Sequence, residues 1–396
     1  MNRNDYKLFS EGRIGSMTLK NRLVRSATSG DRLPIQNGEL HVLLSLYRDL
    51  ALGGVGLVIS GDTPGFAAEM LAGKSAARRT IPDSYFQAFA SVADEVHRSA
   101  PLCKMIVQLG GPGRRSGIGA SDVPEPFQKD RVKPLSVDEI AMIVGAYAET
   151  IARFQQSGLD GVQIHAAHGH GLVHSFLSPY TNRRTDAYGG SAANRARIIR
   201  EIVSKAREKV GDFPILIKMN CTDNLEGGID LDTFPEMAQE VERTGVDAIE
   251  VSGGTLDCLV RSEEELGFRP VPIAESHTRI GSPEKQSYYL EYVQKLALGI
   301  PVILVGGNRH VERLEQIVGQ GYADYIGLCR PLISEPDLPN RWLEGRGDPT
   351  TECISCNSCL VARLEGHLPY CVFKHNKEQY KVAQEFLTSW VSVNLA

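Results

Sequence analysis

No stretch of the sequence reaches the ~18 consecutive apolar residues that a bilayer-spanning helix needs, and the opening MNRNDYKLFSEGRIG lacks the apolar core of a signal peptide. No membrane partner and a cytoplasmic location are therefore expected. Basic residues are not in surplus: 43 Lys and Arg stand against 48 Asp and Glu, a net charge of −5. That balance creates no field to draw in nucleic acid or an anionic surface, so the expected partner is a small-molecule substrate. Internal repeats, low-complexity tracts and long linkers are also missing, which argues against a repeat array or a string of tethered domains. Cysteine, by contrast, occurs eight times. Without an export signal, such thiols are expected to stay reduced or to bind metal in preference to forming disulfides.

What is present is a rhythm of strands and helices. Runs rich in β-branched and aliphatic residues recur as LVRSAT (23–28), VGLVISG (55–61), KMIVQLG (104–110), GVQIHAA (161–167), PILIKMN (214–220), AIEVSGG (248–254), PVILVGG (301–307) and YIGLCR (325–330). Each is nearly continuous in apolar character, as parallel strands covered on both faces are, and helical spacing fills the stretches between them. Before the fourth strand a capping box, Ser136 with Glu139, leads into an apolar face through Ile140, Ile143 and Tyr147. Strand and helix alternating eight times predict a single α/β domain, a (β/α)₈ TIM barrel. A doubly wound sheet shares the alternation, but it would carry GxGxxG after its first strand, where this chain has SGDRLPIQNGEL. The barrel pattern stops after Pro331, so the expected division is a barrel over 1–347 and a short cysteine-bearing extension over 348–396, packed on it.

Residues at the strand C-termini of such a barrel face the active site. The fourth strand ends in His165-Ala166-Ala167-His168-Gly169-His170. His165 and His168 can both donate hydrogen bonds to one carbonyl oxygen, polarising a conjugated C=C; a metal site and a hydrogen-bonded structural pair remain the alternatives. The seventh strand ends in Gly306-Gly307-Asn308 and the eighth in Gly327-Leu328-Cys329-Arg330, two loops that adjoin in a barrel. Glycine backbone N–H groups and a forked arginine suit a phosphate there, with Lys218 adding charge; alternatively the glycines only serve turns and Arg330 pairs on the surface. Gln108, closing the third strand, can both donate to and accept from a heterocycle, or be satisfied by backbone.

These residues converge on a recognisable pattern. HAAHGHGLVHSFLSPYTNRRTDAYGGSAANRARIIREIV (165–203), with LFSEGRIGSMTLKNRLVRSAT (8–28), Gln108 and GLCRPLISEPDLP (327–339), resembles the signature of the Old Yellow Enzyme family of NAD(P)H:flavin oxidoreductases, and the likeness runs through essentially the whole chain. It implies a barrel with noncovalent FMN, reduced by NADH or NADPH and reoxidised by an activated alkene or similar acceptor. By the same resemblance, Ser26, Ala27 and Thr28 lie along the flavin, Gly61 beside it, Gln108 on its pyrimidine side and Lys218 near its N1. Gly306, Gly307, Gly327 and Arg330 hold its phosphate, and His165 and His168 anchor the substrate carbonyl. The chain departs from the family at His170, where enone reducers usually carry a proton-donating tyrosine. His170 either replaces it, as an imidazole of ordinary pKa near ~6.5 can, or is an exposed loop residue.

The tail reads Cys353-x₂-Cys356-x₂-Cys359-x₁₁-Cys371. Four thiolates so spaced suit a [4Fe–4S] cluster or a Cys₄ zinc site, or are a relic of one with unliganded thiols. The tail is similar to that of the family's iron–sulfur branch, typified by trimethylamine dehydrogenase and 2,4-dienoyl-CoA reductase. Those enzymes continue into dinucleotide-binding domains, whereas the given chain stops at Ala396, and such machinery is expected to be lacking. Cys103, Cys221, Cys258 and Cys329 are expected as small core residues. Three readings follow: an FMN enzyme passing hydride from NAD(P)H to an α,β-unsaturated carbonyl or similar electrophile; an amine dehydrogenase exporting single electrons through the cluster; or a flavin-binding electron-transfer subunit. A homo-oligomer or an electron-transfer protein partner is compatible with each. The loops Arg114–Gln128 and Asp257–Thr278, after the third and sixth strands, carry no pattern that names a ligand.

Overall fold

The computed structural model describes residues 3–28, 40–67, 70–71, 81–126, 131–169, 171–271 and 273–394, the side chains of 390–394 excepted. Strands β1 (Leu23–Arg25), β2 (Leu57–Pro64), β3 (Lys104–Gly110), β4 (Gly161–Ala166), β5 (Ile215–Asn220), β6 (Ala248–Ser252), β7 (Val302–Leu304) and β8 (Tyr325–Leu328) close into one parallel barrel. Each pairs with its successor, and β8 returns to β1 through Ile326 opposite Leu23, Gly327 opposite Val24 and Leu328 opposite Arg25. All eight anticipated strands are present; six are shorter than anticipated, β3 matches its anticipated bounds, and β2 runs on to Pro64. Parallel neighbours require crossovers, which place helices outside the sheet. The longer ones are α1 (Leu40–Leu52), α2 (Asp83–Ser99), α3 (Val137–Gln156), α4 (Arg197–Val210), α5 (Phe234–Glu242) and α6 (Val311–Gly319).

Local chemistry starts α3 where the sequence says it should. Ser136 Oγ accepts from the Glu139 N–H at 3.2 Å, and the Glu139 carboxylate accepts from the Ser136 N–H at 2.9 Å. Ile140, Ile143 and Tyr147 then bury completely against the barrel.

The period-two alternation of the strands separates two cores. Outward residues such as Met105, Val107, Leu109, Ile215 and Ile217 join the helices in the large outer core. Inward residues Val24, Leu57, Ile59, Ile106, Leu216, Ala248, Ile303 and Tyr325 form a separate cluster with Ile14, Met17 and Leu19 of a short antiparallel hairpin. One step further along the same inward faces the chemistry changes: Ser26, Gln108, Gln163, His165, Lys218, Asn220, Glu250 and Ser252 are polar, and all are buried. The barrel therefore has an oily floor and a polar mouth.

After Leu328 a short turn of helix, α7 (Arg330–Ser334), leads toward the cysteine-bearing segment, whose helices are α8 (Ser358–Leu364) and α9 (Lys377–Asn394). Val361, Ala383 and Leu387 of that segment pack with Val271 from the loop after β6. The loops after β3 and β6, which no motif explains, are riveted together: Arg114 donates to both carboxylate oxygens of Asp257 at 2.7 and 2.6 Å, with the side chains 1% and 2% exposed. Removing one member strands a charge out of water, which typically costs about 3–5 kcal/mol. Asp257→Ala should accordingly lower the unfolding free energy measured by urea denaturation by a loss of that order, whereas Asp83→Ala, at an exposed carboxylate, should change it by less than about 1 kcal/mol.

Candidate active site

A cleft enclosing about 980 Å³, counted out to its open mouth, occupies the C-terminal end of the barrel. Of the anticipated residues, Ser26, Ala27, Thr28, His168, Lys218, Gly306, Gly307, Gly327 and Arg330 line it together. Barrel closure makes this possible. The Ser26 N–H donates to the Leu328 carbonyl at 2.9 Å, and Asn308 Nδ2 donates to the carbonyls of Leu304 and Gly327 at 2.8 and 3.0 Å, clamping the β7 and β8 loops together. Glycine is required at two of these positions. Gly306 and Gly307 have φ of 105° and 73°, and a Cβ on either would press into Tyr288 at 2.7–2.8 Å.

Arg330 does not sit on the surface. Its Nη1 donates to the His277 carbonyl at 2.8 Å and to Asn357 Oδ1 at 2.6 Å. Burial opposes its charge most strongly, yet Tyr288 and the neighbouring thiols Cys353, Cys359 and Cys329 carry its pKa above the ordinary value. A second arginine, Arg309, lines the same cleft at 7% exposure. His277 is stacked between Phe268 and Tyr288, with centroids 3.7 and 4.0 Å away, and burial, then Arg330, pull its pKa down to about 3. It is therefore neutral near neutral pH and stacks on Tyr288, which lines the cleft.

The histidines occupy distinct settings, their ring centroids 5.1 Å apart. The Ala167 N–H donates to His165 Nδ1 at 3.3 Å. That bond makes Nδ1 an acceptor and leaves the proton of a neutral ring on Nε2. His168 takes the left-handed conformation, φ 67°, rare outside glycine and asparagine and costing roughly 1–3 kcal/mol. Its backbone N–H is held by Asn220 Oδ1 at 3.1 Å, and its Nε2 lies 2.8 Å from Ser252 Oγ. Its Nδ1 is 3.6 Å from Glu275 Oε1. Burial within the cleft raises the Glu275 pKa against the pull of Lys218 and Arg330. His170 lies outside the described residues.

Gln108, His165 and Gly61 are not among the residues lining the cleft. Gln108 Nε2 donates to Gln163 Oε1 at 2.7 Å, Gln163 Nε2 donates to Glu250 Oε2 at 2.6 Å, and Glu250 Oε1 lies 3.4 Å from Lys218 Nζ, which does line the cleft. Motif reading missed Gln163, Glu250, Ser252, Arg309 and Asn357. The first three were signalled by polar residues on alternate positions of otherwise apolar strands. Arg309 and Asn357 carried no such signal.

The tail cysteines also converge. Cys353, Cys356, Cys359 and Cys371 line a pocket of about 320 Å³ beside Arg330 and Phe373, and none is in a disulfide. Among the described residues no three His, Cys, Asp or Glu side chains are gathered tightly enough to grip one ion. Burial pushes the Cys359 thiol up to about 12, and Arg330 pulls the other way. Four soft donors therefore line one pocket next to a guanidinium.

The profile of the NADH:flavin oxidoreductase / NADH oxidase family matches residues 7–348, and the chain belongs to that family. It is 32% identical over 368 residues to an NADH oxidase of Thermoanaerobacter brockii, covering 90% of this chain and 54% of that protein. An NADPH dehydrogenase of Halalkalibacterium halodurans is 28% identical, covering 85% and 93%. Among solved structures, histamine dehydrogenase from Rhizobium sp. 4-9 matches with a TM-score of 0.77 at 24% identity, covering 94% of this chain and 52% of that one, a likeness of fold. The chain spans about half the length of the first-ranked curated relatives.

The other cysteines divide by environment. Cys103, Cys221 and Cys258 are fully buried, and burial raises their thiols, Cys103 to about 12 and Cys258 to about 11. Cys329 departs from the expected core role: it is partly exposed, lines the cleft and lies 3.1 Å from Thr28 Oγ1. Iodoacetamide on the native protein at pH 8, followed by peptide mass spectrometry, should modify Cys329 and spare Cys103, Cys221 and Cys258 until urea is added.

Proposed function

We propose that the cleft binds FMN and that the protein passes reducing equivalents from NADH or NADPH to an α,β-unsaturated carbonyl or similar small electrophile. The observation that carries this reading is the meeting, in one cleft, of Arg309, Arg330 and the left-handed Gly306 and Gly307 with Lys218 and His168. Gly306, Gly307, Gly327 and Arg330, joined by Arg309, would hold the phosphate. Ser26, Ala27 and Thr28 would flank the ring, with Gly61 beside it, and Gln108 and Lys218 would meet its pyrimidine edge. Bound FMN supplies reversible hydride acceptance and donation. His165 contributes its Nε2–H, and His168 a second contact, to the carbonyl oxygen of the acceptor, drawing electron density away from its β-carbon. Relatives named NADH oxidase and NADPH dehydrogenase support both nicotinamide donors.

The proposed division is an FMN barrel over 1–347 and an extension over 348–396 that packs on it and brings Asn357 to Arg330. The four thiols line one pocket; were they to hold a [4Fe–4S] cluster, a second reading would follow, amine oxidation with electrons leaving singly toward a protein acceptor. A cytoplasmic setting suits reduced thiols.

Three measurements test these readings. Anaerobic titration with NADH or NADPH should bleach the flavin of the wild type, and failure of both nucleotides would remove the donor. Arg330→Ala should weaken FMN binding by about tenfold or more, the usual cost of a lost charged hydrogen bond. Iron and sulfide analysis of anaerobically purified protein should find about four of each per chain, falling in Cys356→Ser; an iron-free wild type would exclude electron export by this route.

A further inference from the structure

The hydrogen-bonded line from Gln108 to Lys218 has a direction. Glu250 is fully buried and forms an ion pair with Lys218 at 3.4 Å, so its carboxylate can only accept. Gln163 must therefore turn its NH₂ toward Glu250, at 2.6 Å, and its carbonyl oxygen toward Gln108. Gln108 must in turn give its NH₂ to Gln163, at 2.7 Å. The carbonyl oxygen Oε1 of Gln108 is then the end of the line. Amide orientations are ordinarily ambiguous; here a single buried charge decides two of them. The four residues come from four consecutive strands, β3 to β6, and are at most 5% exposed, so water has little access to reverse the polarity.

We propose that Glu250 is a positioning residue for the flavin site, setting Gln108 as an acceptor for the one N–H of the isoalloxazine pyrimidine ring, N3–H, and moderating the charge that Lys218 presents to the same ring. The proposal rests on the FMN reading above. It assigns Glu250 two separable effects, one of orientation through Gln163 and one of charge through Lys218.

Glu250→Gln tests both. In that variant Lys218 would draw the new carbonyl oxygen, leaving the new NH₂ to face Gln163. Gln163 and then Gln108 would reverse, and Gln108 would offer N–H where it had offered oxygen. The Lys218 charge would lose its counter-ion, favouring the anionic reduced flavin. Gln163→Met breaks the orientation alone and leaves the ion pair in place. All three proteins would be reconstituted with ¹⁵N-labelled FMN and studied at one pH.

The wild type should show a downfield, slowly exchanging N3 proton. Both variants should lose it, by an upfield shift or by exchange. Glu250→Gln should also bind reduced over oxidised FMN about tenfold more tightly than wild type does, ~30 mV more positive for a two-electron couple, while Gln163→Met should keep the wild-type potential. An unchanged N3 proton in Gln163→Met would overturn the orientation role, and an unchanged potential in folded Glu250→Gln the charge role. If Glu250→Gln does not fold, Lys218→Met carries the charge arm, and its potential should fall below that of the wild type. A wild type that takes up no FMN would instead refute the underlying reading.

Discussion

Hydrogen bonding between the first and last strands closes the sheet, and the site depends on that closure. Leu328 pairs with Arg25, and the Ser26 N–H continues the ladder to the Leu328 carbonyl. Segments some 300 residues apart in sequence thus become neighbours: Thr28 touches Cys329, and a Cβ on Gly327 would meet Ser26 Oγ at 2.5 Å. An open sheet would leave Ser26–Thr28 and the Gly327–Arg330 turn on opposite edges. Closure brings Ser26–Thr28 and the Gly327–Arg330 turn together in one cleft without any motif spanning both.

The barrel interior then divides by height. Apolar inward residues fill the floor and supply the non-directional part of the stability. The polar ring above them is buried as thoroughly, and burying such groups is unfavourable unless they satisfy one another. Here they largely do, through the two amides, the Glu250–Lys218 pair and the contacts of Asn220 and Ser252 with His168. Part of the polarity is left facing the cleft, and a left-handed His168 is tolerated beside it. Fold rules are broken here in favour of chemistry, as is common at functional sites.

The rim is assembled from loops that share no local pattern. Arg114 and Asp257 join the loops after β3 and β6, Asn357 reaches from the cysteine segment to Ser276 and Arg330, and Phe268, His277 and Tyr288 stack into a wall. Arg330 therefore belongs to two neighbourhoods, the cleft and the pocket ringed by the four cysteines. The proposed flavin phosphate and the proposed cluster would share one guanidinium as a common wall.

Much of this was legible in the sequence, because its causes are local. Continuous apolar runs mark doubly covered strands, Ser136 and Glu139 mark the start of α3, and a strand's end places Lys218, His165 and Arg330 at the mouth. The family likeness is carried by contiguous residues, and the matching profile spans the barrel. What only the tertiary structure decided involves pairs distant along the chain: Glu250 beside Lys218, Gln163 between Gln108 and Glu250, Asn357 on Arg330, Cys329 in the cleft and not the core. Backbone periodicity records which face a residue takes. Its partner depends on how neighbouring strands and loops are brought side by side, and no local stretch of sequence encodes that.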